Sequence, residues 1–387
     1  MKQILISIDS FKGSLSSMEA GRAASDGIHR VYPDAVCTVR PLADGGEGTV
    51  DALTAGLGGE MHTVTVCGPR RRPVDAHYGI LPGGVAVMEM AQAAGLPLLS
   101  PEERNPAVTT TYGVGQMILD AIEHGCRDFI LGIGGSATND GGVGMLSALG
   151  WRFIDQTGTP IPDGASGLAA LAQIDDSRVF PLLRECRFRV ACDVNNPLCG
   201  ERGCSAVYGP QKGASAQDIP YMDSLLDAYA RLTALQYPDA DPNFPGAGAA
   251  GGLGFALRSY LGAELVPGVE LILHATGMEN VIAQADVVIT GEGRLDAQTA
   301  MGKAPAGVAA LAKKHQKTVI AFSGCLGDHA SACNECGIDA FFPILPACMT
   351  PEQAMESKTA YANLANTAEQ AFRLIRATLS QKSSKNH

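Results

Sequence analysis

The run Gly132-Ile-Gly-Gly-Ser-Ala-Thr-Asn-Asp-Gly-Gly142 constrains this chain more than any other stretch. It follows an apolar segment, residues 129–131, that reads as a buried strand, and it precedes residues 143–149, which read as a short helix. A strand, a glycine-rich loop and a helix start form an anion cradle. Glycines let the backbone approach a ligand, and the free N–H groups of the first helical turn face negative charge. Ser136, Thr138, Asn139 and Asp140 add side chains that can bind a hydroxyl, a phosphate or a metal. A loop of this kind holds a dinucleotide, a nucleoside triphosphate or nothing.

The surroundings predict an α/β fold. Residues 4–8 and 36–40 read as strands. Ser16 and Glu19 form a capping-box pair that starts a helix, and residues 48–57 read as a second helix. A third strand is expected over 61–66, which completes a βαβαβ opening of a doubly wound parallel sheet. The order then breaks. Arg70, Arg71 and Arg72 lie in a sharp basic turn, expected to be solvated, and 74–81 with 85–90 read as a β-hairpin closed around Pro82, Gly83 and Gly84. A strand at 188–192 and a long helix at 219–237 follow. Alternation resumes with strands at 285–290, 318–323 and 340–344, helices at 305–315 and 330–336, a final helix at 359–379 and a frayed tail over 381–387. The pattern permits one sheet built from both chain ends with the mixed middle inserted.

Composition removes several classes of function. The net charge of −11 repels nucleic acid and anionic membrane surfaces, so any phosphate site must be local. Aromatic residues are only 5%, too few for base-stacking platforms. The 11 cysteines are scattered and odd in number, which fits reduced thiols in a cytoplasmic protein better than a disulfide framework. Cys333 and Cys336 form a lone CxxC without a second pair or clustered histidines, so they are expected to be structural. The N-terminal apolar run is too short for a signal peptide, and no stretch approaches a membrane span. The chain is expected to be soluble and cytoplasmic.

Two nucleotide readings of the glycines can be weighed. Gly132, Gly134 and Ala137 fit a loose dinucleotide fingerprint, with Asp155 near the spacing of a ribose-binding acid. A nicotinamide oxidoreductase of a small hydroxy acid is therefore one alternative, although the helix begins late, after residue 142. A non-catalytic protein that binds an organic acid is another. Gly246, Gly248 and Gly251 repeat the spacing without a preceding strand. No P-loop motif exists, since Gly302-Lys303 is followed by Ala304 and lacks the earlier glycine.

Further polar glycine runs stand where strands are expected to end: Asp9-Ser-Phe-Lys-Gly-Ser14, Ala43-Asp-Gly-Gly-Glu-Gly-Thr49 and Thr290-Gly-Glu-Gly-Arg-Leu-Asp296. In open α/β sheets ligands bind beyond the carboxyl ends of strands. Asp193 closes a middle strand, and Lys212 sits in the loop Tyr208-Gly-Pro-Gln-Lys-Gly213. Carboxylates mixed with single lysines and arginines suit phosphoryl transfer, because cations stabilise the phosphoryl oxygens and one or two carboxylates suffice for Mg2+. Each acid also has a structural alternative. Asp9, Asp44, Glu47 and Asp140 could cap turns or helix starts, and Arg294 could pair with Asp296.

Together these runs resemble the glycerate kinase family, type 1. The resemblance rests on the loops just quoted together with Ala-Cys-Asp-Val-Asn-Asn-Pro-Leu198, Gly-Pro-Gln-Lys-Gly213 and Pro-Gly-Ala-Gly-Ala-Ala-Gly-Gly252, in order from Ile4 to about Ile344. One departure is Ser7-Ile8 before Asp9, where the family usually has Ala-Pro. The resemblance implies ATP- and Mg2+-dependent phosphorylation of D-glycerate, with 2-phosphoglycerate favoured over 3-phosphoglycerate. It also implies a Rossmann-like domain from 1–66 plus 284–387 and an inserted mixed α/β domain over 67–283. The oligomeric state, including a homo-oligomer, stays open. Within that frame Lys12, Lys212 and Arg294 are expected to contact phosphate or carboxylate, and Ser136, Thr138 and Asn139 substrate or nucleotide phosphates. Asp44, Glu47 and Glu292 are expected at a metal. Asp193 is the first choice to orient the glycerate hydroxyl and Asp296 the second.

Overall fold

The computed structural model describes residues 2–384, with side chains through residue 379. Its strands are β1 (Gln3–Ile8), β2 (Val36–Val39), β3 (Glu60–Cys67), β4 (Pro73–Leu81), β5 (Val85–Glu89), β6 (Asp128–Gly132), β7 (Arg152–Ile154), β8 (Gln173–Asp175), β9 (Arg187–Ala191), β10 (Glu264–Val266), β11 (Val287–Leu295), β12 (Thr318–Leu326) and β13 (Ala340–Pro343). Within the described residues the chain divides into two compact units. Unit 1 takes residues 2–44, Asp51–Leu57 and residues 272–384; unit 2 takes Gly45–Val50 and Gly58–Leu271.

Unit 1 carries a five-stranded sheet in the order β13-β12-β11-β1-β2, parallel throughout. Both chain ends thus build one Rossmann-like sheet. Its inner strands read as near-continuous apolar runs, Ile4 to Ile8 and Val287 to Ile289, because a parallel sheet is covered on both faces. The helices Ser17–His29 and Ser357–Ser384 pack together on the sheet. Ala20, Ala24 and Ile28 from the first meet Leu364, Ala368 and Phe372 from the last in one buried cluster with Ile4, Ile6, Ile289 and Phe322. Ser16 caps the first of these helices and Glu19 bonds back, the expected capping box. Residues 381–384 continue the last helix instead of forming the expected tail, and 385–387 lie outside the described residues.

Unit 2 carries a six-stranded sheet, β10-β9-β6-β5-β4-β3. β10, β9, β6 and β5 run parallel, and β4 and β3 are antiparallel additions at one edge. Phe129 and Phe188 stack at 4.8 Å between ring centres in its core. β7 and β8 form a separate two-stranded ribbon.

Three further sequence expectations are corrected. The strand at 61–66 does not complete a parallel βαβαβ opening; it is β3, paired antiparallel with β4 in unit 2. The Gly68–Arg72 turn is the reason. It closes on itself, with Gly68 N–H donating to Arg72 C=O at 2.7 Å, and so short a link can join only antiparallel strands. The run from Thr290 to Asp296 is likewise not a loop, since β11 continues to Leu295 beside β12, with Glu292 opposite Ser323 and Arg294 opposite Cys325. Gly291 permits this continuation, because a Cβ there would stand 1.9 Å from the Phe322 carbonyl oxygen. The basic turn is also more anchored than a solvated turn. Arg71 makes a bidentate pair with Asp163 at 2.6 and 2.7 Å, and Arg72 pairs with Glu103.

Candidate active site

Unit 1 holds a cleft of about 690 Å³ at the carboxyl ends of β1, β11 and β12. Asp9 enters it first. Its N–H extends the β1–β11 ladder by donating to Gly291 C=O at 2.8 Å, and its Oδ1 accepts from the N–H of Ser10. The loop behind it is closed by a Phe11–Leu15 bridge whose two side chains are buried, which holds Lys12 exposed at the cleft. Asp44 lines the cleft from the segment after β2. Glu292 and Arg294, two apart on β11, share one strand face. Glu292 Oε1 accepts the Thr299 hydroxyl at 2.6 Å.

The electrostatics of this cleft are those of crowded acids. Burial pushes the Asp9 carboxyl up to about 7; the Ser10 N–H opposes this, the charges of Asp44 and Glu292 add to it, and Lys12 opposes it. Glu292 is also raised, mainly by burial, against the Thr299 hydrogen bond and the charge of Lys303. Acids destabilised in this way are poised to gain from an arriving cation.

Asp296 and Arg294 play more local roles. Asp296 caps the short helix Ala297–Ala300, with Oδ1 accepting from the N–H groups of Gln298 and Thr299. Arg294 stands 3.4 Å from its carboxylate with an exposed side chain, an ion pair of small energetic weight. Lys303 also lines the cleft, at the start of helix Ala304–Lys314. Sequence inspection passed over it because Gly302-Lys303 fails the P-loop pattern. Its place just before a helix with Pro305 in the first turn was the available signal.

The opening glycine loop lies in unit 2, and the structure settles its second half. Asp140 is buried and fully engaged. Its Oδ2 accepts from the N–H and the hydroxyl of Thr111 and from Gly144 N–H, and its Oδ1 accepts from Gly142 N–H. It therefore caps the helix Val143–Ala148 and ties it to Thr111. Asn139 donates to the Ser205 hydroxyl at 2.9 Å, and Gly141 N–H donates to Gly251 C=O, so the second glycine-rich stretch packs against the first. Lys212, 1% exposed, donates to Thr138 C=O at 2.6 Å; burial brings its ammonium down to about 8. Lys212 is thus brought to Thr138, next to Asn139, and all three, like Ser136, are buried in unit 2.

Asp193 is exposed after β9, and its Oδ1 accepts Gly268 N–H at 2.9 Å, at the start of helix Gly268–Ala275. Glu47 is exposed in unit 2, whereas Asp44 belongs to unit 1. Among the described residues no group of three or more His, Cys, Asp or Glu side chains is arranged to hold a metal ion by itself. The expected trio Asp44, Glu47 and Glu292 is therefore not a ready-made metal cage. The ribose-acid expectation also changes, because Asp155 folds back on its own turn and accepts from Thr157 and Thr159. All the described cysteines are free, and Cys333 and Cys336 bond only to backbone carbonyls. No helix among the described residues is long and apolar enough to cross a membrane.

The chain as a whole is similar to known proteins. A family model described as the glycerate kinase family matches residues 4–376. The glycerate kinase of Halalkalibacterium halodurans is 48% identical over 357 residues, covering 92% of this chain and 94% of that protein. The glycerate 2-kinase of Escherichia coli is 45% identical over 378 residues, covering 97% and 98%. A crystal structure described as a glycerate kinase 2 of Salmonella typhimurium LT2 aligns with a TM-score of 0.91 at 43% identity, over 98% of this chain and 99% of that one. With sequence and fold agreeing over nearly its full length, the chain belongs to the glycerate kinase family.

Proposed function

We propose that the protein transfers the terminal phosphoryl group of ATP to D-glycerate, with Mg2+, and that the product is 2-phosphoglycerate in preference to 3-phosphoglycerate. The observation that supports this most is the unit 1 cleft, where Asp9, Asp44 and Glu292 stand with Lys12, Arg294 and Lys303 at the carboxyl ends of parallel strands. Kinases need this mixture of acids for a cation and bases for phosphoryl oxygens.

The residues fit Mg2+ in the way kinases hold it. Mg2+ takes one or two protein carboxylates and fills its remaining sites with water and phosphate, so a three-carboxylate cage is not required. Glu292 and Asp44 would hold it, with Asp9 beside them. The carboxylates of Asp9, Asp44 and Glu292 all line the one cleft, and the charges of Asp44 and Glu292 both act on Asp9, which suits a cation among them. The ion supplies charge neutralisation of the phosphates. Lys12 and Arg294 bind phosphoryl oxygens. Asp193 accepts the hydrogen bond of the glycerate hydroxyl, with Asp296, the cap of the helix Ala297–Ala300, as the second choice. Lys212 holds the backbone of the unit 2 loop at the Thr138 carbonyl and Asn139 ties the loop to Ser205, while Ser136 and Thr138 remain candidates for phosphate contact.

Incubation with ATP, Mg2+ and D-glycerate, followed by phosphorus NMR, tests the proposal. A 2-phosphoglycerate resonance is expected. A 3-phosphate signal would change the position assigned, and no phosphoglycerate at all would remove the function.

A further inference from the structure

Building on the kinase function proposed above, we infer that the unit 1 cleft is the nucleotide site and is divided in two. The nucleobase lies on an apolar wall containing Leu345, Met349 and Met355, and the phosphates lie among Lys12, Arg294 and Lys303. The cleft, at about 690 Å³, is far larger than a three-carbon acid requires and falls in the range of nucleotide-sized pockets. Its lining is segregated by chemistry. Every lining residue from Ile344 to Ala360 is apolar, whereas the charged side chains all come from the loop after β1, from Asp44 and from the segment 292–303. A small, fully polar acid has no use for the first wall; a purine has.

The apolar wall is also built onto the cationic side. The Ser357 hydroxyl donates to Ser14 C=O at 2.7 Å, which fastens the segment beyond Met355 to the loop that carries Lys12. Thr350 caps the helix Pro351–Met355 with a capping box, so the two methionines flank an ordered turn. Methionine side chains adapt to the ligand they touch. No side chain on that wall offers a hydrogen-bond donor or acceptor to the edge of a base. The wall therefore grips a base without reading it, and selection falls on the polyphosphate.

The test is a calorimetric titration of the full chain with Mg2+ and either ADP or inorganic tripolyphosphate, using wild type, Met349→Ala, Met355→Ala and Lys303→Ala. Met355 and Leu345 are substantially exposed, so Met355→Ala and a spare Leu345→Ala should keep the fold, as circular dichroism will verify. The methionine variants should weaken ADP about five- to tenfold and leave tripolyphosphate within about twofold, since only apolar contact is lost. Lys303→Ala should weaken both ligands about tenfold. GTP should replace ATP in turnover within about tenfold. Equal loss of ADP and tripolyphosphate in the methionine variants would overturn the division of the cleft. A raised KM for D-glycerate with unchanged ADP binding would assign the cleft to the acid instead. Rejection of GTP by more than about a hundredfold would place base recognition elsewhere. ADP binding is read without turnover, so failure of this assignment is distinct from failure of the kinase assay.

Discussion

Asp140 Oδ2 accepts both the backbone N–H and the hydroxyl of Thr111, each at 2.8 Å, and the same Thr111 hydroxyl accepts the N–H of Met145 at 2.9 Å. The pair locks the exit of the opening glycine loop to the helix that follows it. Burial raises the Asp140 carboxyl and these hydrogen bonds oppose the rise.

Asp140→Ala should therefore behave as a folding defect. It leaves buried N–H groups of Thr111, Gly142 and Gly144 without their acceptor, at about 3 kcal/mol or more. Thr111→Val should cost about 1–3 kcal/mol. Denaturant unfolding measures both, and an Asp140→Ala protein of wild-type stability with lost activity would make Asp140 a ligand contact.

Asp9 should make stability fall as pH rises. Its carboxyl titrates near 7 in the folded chain against an ordinary value of 3.8, so the folded state binds the proton more tightly. The stability it contributes is present below pH 4 and is lost as pH climbs through 7. Asp9→Asn, measured without Mg2+, should be more stable than wild type at pH 8 by about 1–3 kcal/mol and equal to it near pH 4. A pH-independent difference between the two melting curves would contradict the assigned burial cost.

Lys212 should act in the opposite sense. Its ammonium titrates near 8 in the fold against 10.5 when solvated, so the unfolded chain binds the proton more tightly between those values. Stability should rise from about pH 8 to 10.5 relative to Lys212→Met, by about 1–3 kcal/mol in total. Thermal melts across that range check it. A flat difference would mean that Lys212 is charged and compensated by a group other than Cys204 and Asp140, whose charges favour its ammonium.

Glu292 and Glu47 should separate in kinetics. Glu292 lines the cleft and its carboxyl is raised mainly by burial, whereas Glu47 is an exposed residue of unit 2. Glu292→Gln should lower kcat by about two to three orders of magnitude, with the Mg2+ requirement shifted to higher concentration. Glu47→Gln should stay within about threefold of wild type. The reverse order would move the metal to Glu47.

The local rules read well where one stretch of chain is sufficient. The capping box at Ser16 and Glu19, the hairpin of β4 and β5, the helix with Pro305 in its first turn and the apolar runs of β1 and β11 all depend on neighbours within a few residues. The strand at 61–66 was visible, but its sheet was not, because pairing is chosen by partners and not by the strand's own pattern. Thr290–Asp296 looked like a loop because glycines at 291 and 293 mimic a turn. Only the carbonyl of Phe322, pressed against Gly291, shows that the glycine serves a ladder.

The site divides along the same line. Residue type, with the family resemblance, made Lys12, Asp44, Glu292 and Arg294 candidates for phosphate and metal contacts, because acids beside bases in glycine runs are costly to keep without a charged ligand. It could not show that β1 and β11, some 280 positions apart, lie side by side and bring Asp9 to Glu292. Nor could it show that Met349 and Met355 face the same cleft, or that Lys212 is spent on a buried carbonyl. Chemistry is written in the side chains, so the sequence determined which residues are candidates to meet a charged ligand; which of them line a cleft, and which are sealed inside, depends on contacts between distant segments, and only the tertiary structure decided that.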